Sequence, residues 1–112
     1  MLMTNEVTTA VAQGVPAIWV VLNDGRYGLV ADGMNGLGHR PHGLDIPPVD
    51  FASMATAMGA RGVTVWDPFR LDDVLQHALD SREPHVIDVV IEPGEPAPFG
   101  ARNRSLSAQQ DV

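Results

Sequence analysis

At 112 residues the chain has room for one domain, since domains commonly run to about 100–150 residues. Hydrophobic residues make up 45% of it, which excludes a disordered composition and permits a packed core. Fourteen carboxylates stand against seven arginines, with no lysine and no cysteine, for a net charge of -7; that excludes disulfides, thiolate metal sites and a Schiff-base lysine, and argues against a nucleic-acid partner.

Leu2 to Gln13 carries apolar residues at Leu2, Val7, Ala10 and Val11 and is followed by Gly14 and Pro16, the pattern of a helix closed by glycine. The first residues show neither a basic region ahead of an apolar stretch nor a small-residue cleavage site, so the expected location is cytoplasmic. Val15 to Leu22 is the longest apolar run, at eight residues, far short of the roughly 20 that span a bilayer; no membrane partner is expected. Within it, Ala17 to Leu22 reads as a parallel strand buried on both faces.

Asn23-Asp24-Gly25 ends that strand, and Arg26 to Met34 begins a second helix whose length is blurred by Gly28, Gly33, Gly36 and Gly38. His39 to Pro48 holds three prolines and two histidines and is expected to be an ordered loop. Val49 to Met58 reads as helix, capped by Asp50 and closed by Gly59. Gly62 to Trp66 is a short strand. Asp67-Pro68 turns into a helix over Leu71 to Leu79, with Leu71, Val74, Leu75, Ala78 and Leu79 on its apolar face. His85 to Ile91 is a third strand. This alternation predicts an α/β fold, an open parallel sheet flanked by helices, over residues 1–93, with a Pro/Gly-rich and polar tail over 94–112.

In such sheets ligands bind beyond the carboxyl ends of the strands, which directs attention to Asn23-Asp24-Gly25-Arg26-Tyr27-Gly28. Two oxygen-bearing side chains beside a flexible glycine suit a hard cation such as magnesium, which takes oxygen ligands from one or two side chains together with phosphates and water. The same residues also make an ordinary turn chosen for its backbone conformation. The residues alone leave both readings open.

The run Leu2-Met-Thr-Asn-Glu6, then Gly14-Val-Pro-Ala-Ile-Trp-Val-Val-Leu-Asn-Asp-Gly-Arg-Tyr-Gly28, resembles the diphosphate-binding domain of the thiamine-diphosphate enzymes of the acetolactate synthase and decarboxylase type. Ile46-Pro-Pro-Val-Asp-Phe51, Asp67-Pro68 and Pro84-His-Val-Ile-Asp-Val-Val-Ile-Glu-Pro93 extend the resemblance over nearly the whole chain. That family's motif opens with Gly-Asp-Gly, passes a helix bearing a glutamate at the position of Glu6, crosses a strand and closes on an Asn-Asn pair, here Asn23-Asp24. The opening Gly-Asp-Gly is absent, and the expectation is an N-terminally truncated domain or a gene start placed too late.

The resemblance implies thiamine diphosphate and magnesium as cofactors. It assigns the Asp24 side chain and the Arg26 backbone carbonyl to the metal, Asn23, Gly25, Tyr27, Gly28 and Leu29 to the cofactor, and Val30 to the substrate cavity. A 2-keto acid substrate, carboligation or decarboxylation, and a homo-oligomer completed by N-terminal domains or a partner subunit are implied for the intact enzyme. The glutamate that activates the aminopyrimidine belongs to a separate domain, so no catalytic residue is expected in this chain and activity in isolation is not expected. Asp24 departs from the usual asparagine and adds a charge beside the diphosphate. Val30 stands where yeast-type pyruvate decarboxylases carry a glutamate, which favours carboligation or a different decarboxylase.

Other residues carry plainer readings. Leu29 and Val30 are equally well core residues from their apolar character. His39 and His42, three apart, have the spacing of a metal site, but in a proline-rich loop with no neighbouring cysteine they are expected to be solvent-exposed. Asp72, Asp73 and Asp80 form a solvated helix face. Trp19 and Trp66 are read as core or packing residues, with contact to a partner subunit as the alternative for an aromatic at a sheet end. Arg102 and Arg104 are read as a solvated tail, with a phosphate contact as the alternative. The alternative function is a non-catalytic α/β module for binding or association, in which the Asn23-Asp24 loop only turns the chain.

Overall fold

The structure, a computed structural model, describes residues 4–93. The elements in chain order are α1 (Thr4–Gln13), β1 (Ile18–Asn23), α2 (Gly28–Gly36), α3 (Phe51–Ala57), β2 (Arg61–Val65), a single 3-10 turn (Pro68–Arg70), α4 (Leu71–Ser81) and β3 (His85–Val90). They fall into two compact units, one built from residues 4–23 and 49–91, the other from residues 24–48 and 92–93.

In the first unit the strands form one parallel sheet in the order β1-β3-β2. Val20 of β1 and Val63 of β2 both pair with Ile87 in the centre. Helices cover both faces. On one, Val7 of α1 and Ala55 of α3 pack with Ala60 and Val86, joined by Val11, Trp19, Val21 and Phe51. On the other, Ala78 of α4 packs with Val65, Ile87 and Val89, joined by Ile18, Val63, Leu71, Val74 and Leu75. This is the expected α/β architecture, an open parallel sheet flanked by helices.

The centre of that sheet explains why β3 is almost continuously apolar: Val86, Ile87 and Val89 are buried, with helices above and below. β1 has the same apolar character, and here the expectation of burial on both faces is corrected. Among the described residues it is an edge strand, and Val20 and Leu22 remain 45% and 66% exposed. Trp19 and Val21 alternate onto the α1 and α3 side, as the twofold period of a strand requires.

Two glycines and two caps set the helices against the sheet. A Cβ on Gly62 would collide with the backbone of Ala52, so its absence lets α3 lie directly on β2. Asp50 caps α3 as expected, accepting from Ser53 N at 2.8 Å and Ser53 Oγ at 2.6 Å, and Gly59 closes the segment at φ 87°. These two hydrogen bonds, the hydroxyl first, hold the Asp50 carboxyl below its ordinary pKa. Asp67 accepts from Phe69 N at 3.0 Å and starts the turn into α4.

Three further expectations on this side need correction or extension. Leu79 is 62% exposed, because it lies beyond the stripe that Leu71, Val74, Leu75 and Ala78 make on α4. Trp66 is 75% exposed: it follows the last residue of β2, outside both clusters, so only Trp19 is a packing residue. α4 ends on Arg82 in the left-handed region at φ 54°, a conformation that glycine usually supplies. Asp72, Asp73 and Asp80 are exposed as expected.

The second unit is α2 with the segments around it. α2 runs the full length from Gly28 to Gly36 despite its internal glycine. The proline-rich stretch is ordered by backbone pairing, with Tyr27 N donating to Leu44 O at 2.9 Å and Ile46 N to Gly25 O at 3.4 Å around a bridge between Arg26 and Asp45. No helix among the described residues is long and apolar enough to cross a membrane. The expected tail over 94–112, with Arg102 and Arg104, lies outside the described residues, as does Leu2.

Candidate functional site

β1 delivers Asn23 as its last residue, at the carboxyl end of the sheet in the first unit. The Asn23 amide donates to Val49 O at 3.2 Å and to Asp88 Oδ1 at 3.1 Å. Asp88 is itself 2% exposed, and its second oxygen accepts from Phe51 N at 3.2 Å. One carboxylate in the central strand therefore holds both the end of β1 and the start of α3. Sequence reasoning passed over Asp88; the signal that could have found it is a lone acid inside an otherwise apolar central strand, which must have hydrogen-bond partners to be buried.

The turn that follows belongs to the second unit. Arg26 N donates to Asp24 Oδ1 at 3.3 Å, a local side-chain turn of the kind aspartate makes. Gly25 sits at φ 66°, where glycine costs nothing and a β-carbon is strained. The bridge to residues 44–46 uses the carbonyl of Gly25 and the amide of Tyr27. That pattern turns the carbonyl of Arg26 to the opposite side.

Gly28 opens α2, and a Cβ there would run into Asp24 Oδ2. The aspartate is thus held close against the start of the helix, whose first turn has no acidic residue and whose cap, Tyr27, makes no side-chain hydrogen bond. The positive end of the helix dipole favours an anion at such a place. Arg26 Nε lies 3.9 Å from Asp24 Oδ2, the two side chains being 29% and 27% exposed.

The carboxylate of Asp24 and the carbonyl of Arg26 are hard oxygen donors, the chemistry magnesium selects. They make a partial set: among the described residues no group of three His, Asp or Glu is arranged to hold a metal. Tyr27, Leu29 and Val30 are 58%, 57% and 51% exposed, so Leu29 and Val30 are not core residues. His39 and His42 are exposed, as expected. A shallow groove of about 510 Å³ in the first unit is lined by Asp50, Ala52, Ser53, Thr56, Ala57, Gly62 and Thr64, and Val30 is not part of it.

The family model for the thiamine pyrophosphate enzyme C-terminal TPP-binding domain matches residues 1–89. The chain is 38% identical over 88 residues to a Mycobacterium tuberculosis protein assigned as an acetolactate synthase large subunit, covering 79% of this chain and 16% of that one. It is 32% identical over 87 residues to acetolactate synthase of Bacillus subtilis, covering 78% and 15%. Over 84 residues it is 32% identical to benzoylformate decarboxylase of Pseudomonas aeruginosa, covering 73% and 16%. The chain thus spans about one sixth of the length of these relatives. It belongs to the thiamine pyrophosphate enzyme family, as the C-terminal TPP-binding domain of that family.

Proposed function

We propose that this chain anchors the diphosphate of thiamine diphosphate through magnesium, with Asp24 and the Arg26 carbonyl as its metal ligands. Asn23, Gly25, Tyr27, Gly28 and Leu29 shape the loop around the cofactor, and Val30 borders the substrate. The observation that carries this is the turn itself: Asp24 Oδ1 is fixed by Arg26 N, and the pairing with residues 44–46 leaves the Arg26 carbonyl facing away from its neighbours. Gly28 keeps the space that the carboxylate occupies.

When bound, the cofactor supplies the electron sink for breaking or making a bond beside a keto carbonyl. The chain's own residues bind and orient it. Asn23, tied to Asp88, sets where the turn begins, and α2 presents its positive end to phosphate charge. The substrate class is a 2-keto acid, and an apolar residue at Val30 favours carboligation, or a decarboxylase that draws its proton from elsewhere. Other domains or a partner subunit contribute the remaining machinery in a cytoplasmic homo-oligomer, and the chain by itself is inactive.

The test is isothermal titration of thiamine diphosphate into the native protein that carries this chain, with magnesium or with EDTA. Magnesium-dependent binding that Asp24→Ala weakens at least about tenfold is expected, as for loss of a charged ligand. Binding that is absent, or indifferent to both magnesium and Asp24, overturns the proposal in favour of a non-catalytic module.

A further inference from the structure

In the anchoring role proposed above Asp24 holds the magnesium, but its negative charge also repels the diphosphate that the ion carries, which offsets part of what the ligand contributes. Arg26 stands ready to offset it. Its Nε is buried and finds no hydrogen-bond acceptor, and the carboxylate oxygen Asp24 Oδ2 lies 3.9 Å away. A buried donor without an acceptor is costly, which leaves Nε open to an anionic partner, and the Asp24 carboxylate is the one beside it. The backbone from which the two side chains project is fixed: Arg26 N is tied to Asp24 Oδ1, and the residues on either side are tied to Leu44 and Ile46.

The carboxylate is confined from both ends. Oδ1 accepts from the Arg26 amide, while Oδ2 lies between Gly28 and the Arg26 guanidinium. We infer that Arg26 is a positioning residue whose guanidinium neutralises and orients Asp24, so that the two side chains act as one unit when magnesium and diphosphate bind. This rests on the anchoring role proposed above and assigns the Arg26 side chain a task separate from its backbone carbonyl. An uncharged residue at position 24 needs no such partner; an aspartate does.

The experiment is a double-mutant cycle of native protein, R26Q, D24N and R26Q/D24N, with thiamine diphosphate titrated calorimetrically at fixed magnesium. R26Q is expected to weaken binding about tenfold beside Asp24 and less than about threefold in the D24N background, a coupling within the range of contacting residues. The R26Q effect shrinks as salt is raised, because both side chains are partly exposed. R26K, which keeps the charge, stays within about threefold of the native protein, and thermal melts of each variant separate binding from folding. Equal effects of R26Q in both backgrounds overturn the inference while leaving the anchoring role standing. Absence of magnesium-dependent binding in the native protein overturns both.

Discussion

Nδ2 of Asn23, at the end of β1, lies 3.1 Å from Oδ1 of Asp88 in β3, 65 residues further along the chain. The same carboxylate accepts from Phe51 N, so its removal takes one acceptor from each of two part-buried donors, while the Asn23 amide keeps Val49 O. Asp88→Ala is expected to cost about 1–3 kcal/mol, from the lost hydrogen bonds and the Phe51 amide deprived of this acceptor. Asp88→Asn keeps one carbonyl oxygen and is expected to cost about half of that. Urea denaturation followed by circular dichroism measures both, and equal stability of Asp88→Ala and the native chain would contradict the bridging role.

Gly62 and Gly33 are expected to respond to alanine with opposite signs. A Cβ at Gly62 meets the Ala52 backbone, whereas one at Gly33 meets nothing within 4 Å. Gly62→Ala pushes α3 off β2 and is expected to destabilise by about 1–3 kcal/mol. Gly33→Ala, inside α2, is expected to stabilise by about 0.5–1 kcal/mol through helix propensity. Thermal melts of the two variants side by side decide the matter.

Arg82 ends α4 at φ 54°, in a region where an L-residue with a side chain is disfavoured. Arg82→Gly relieves that and is expected to stabilise by about 1 kcal/mol. An unchanged or lowered denaturation midpoint would show that the Arg82 side chain contributes more than its backbone costs.

Asp50 and Glu83 both carry lowered pKa values, Asp50 chiefly from the Ser53 hydroxyl and Glu83 chiefly from its hydrogen bond to Arg61. Arg61 Nε donates to Glu83 Oε2 at 2.9 Å, and the arginine is correspondingly raised. A carboxyl lowered in the folded state stabilises fully above its ordinary value, 3.8 for Asp50 and 4.5 for Glu83, and loses that contribution as pH falls through the lowered value. Melts across pH should therefore show Asp50→Ala and Glu83→Gln less stable than the native chain by a constant margin above about pH 5 that closes on further acidification. The Glu83 margin also closes with added salt, since the pair lies at the surface. A margin independent of pH would contradict the assignment.

Sequence alone sufficed for whatever depends on neighbours within a few residues. The helical spacing of Leu71, Val74, Leu75 and Ala78, the Asp50 cap, the Gly59 closure and the Asn23-Asp24-Gly25 turn are local patterns, and the order of elements with that turn carried the family. Tertiary structure decided the rest, because sheet order and burial are set by contacts between distant segments. β1 is at least as apolar in sequence as β3, yet among the described strands β3 lies at the centre, leaving Val20 and Leu22 exposed. Asp88 reads as a stray polar residue until Asn23 and Phe51 arrive beside it. Trp66 and Leu79 have core character but fall outside both clusters. Hydrophobicity specifies that a residue can be buried, and only the packing of remote elements determines whether anything covers it.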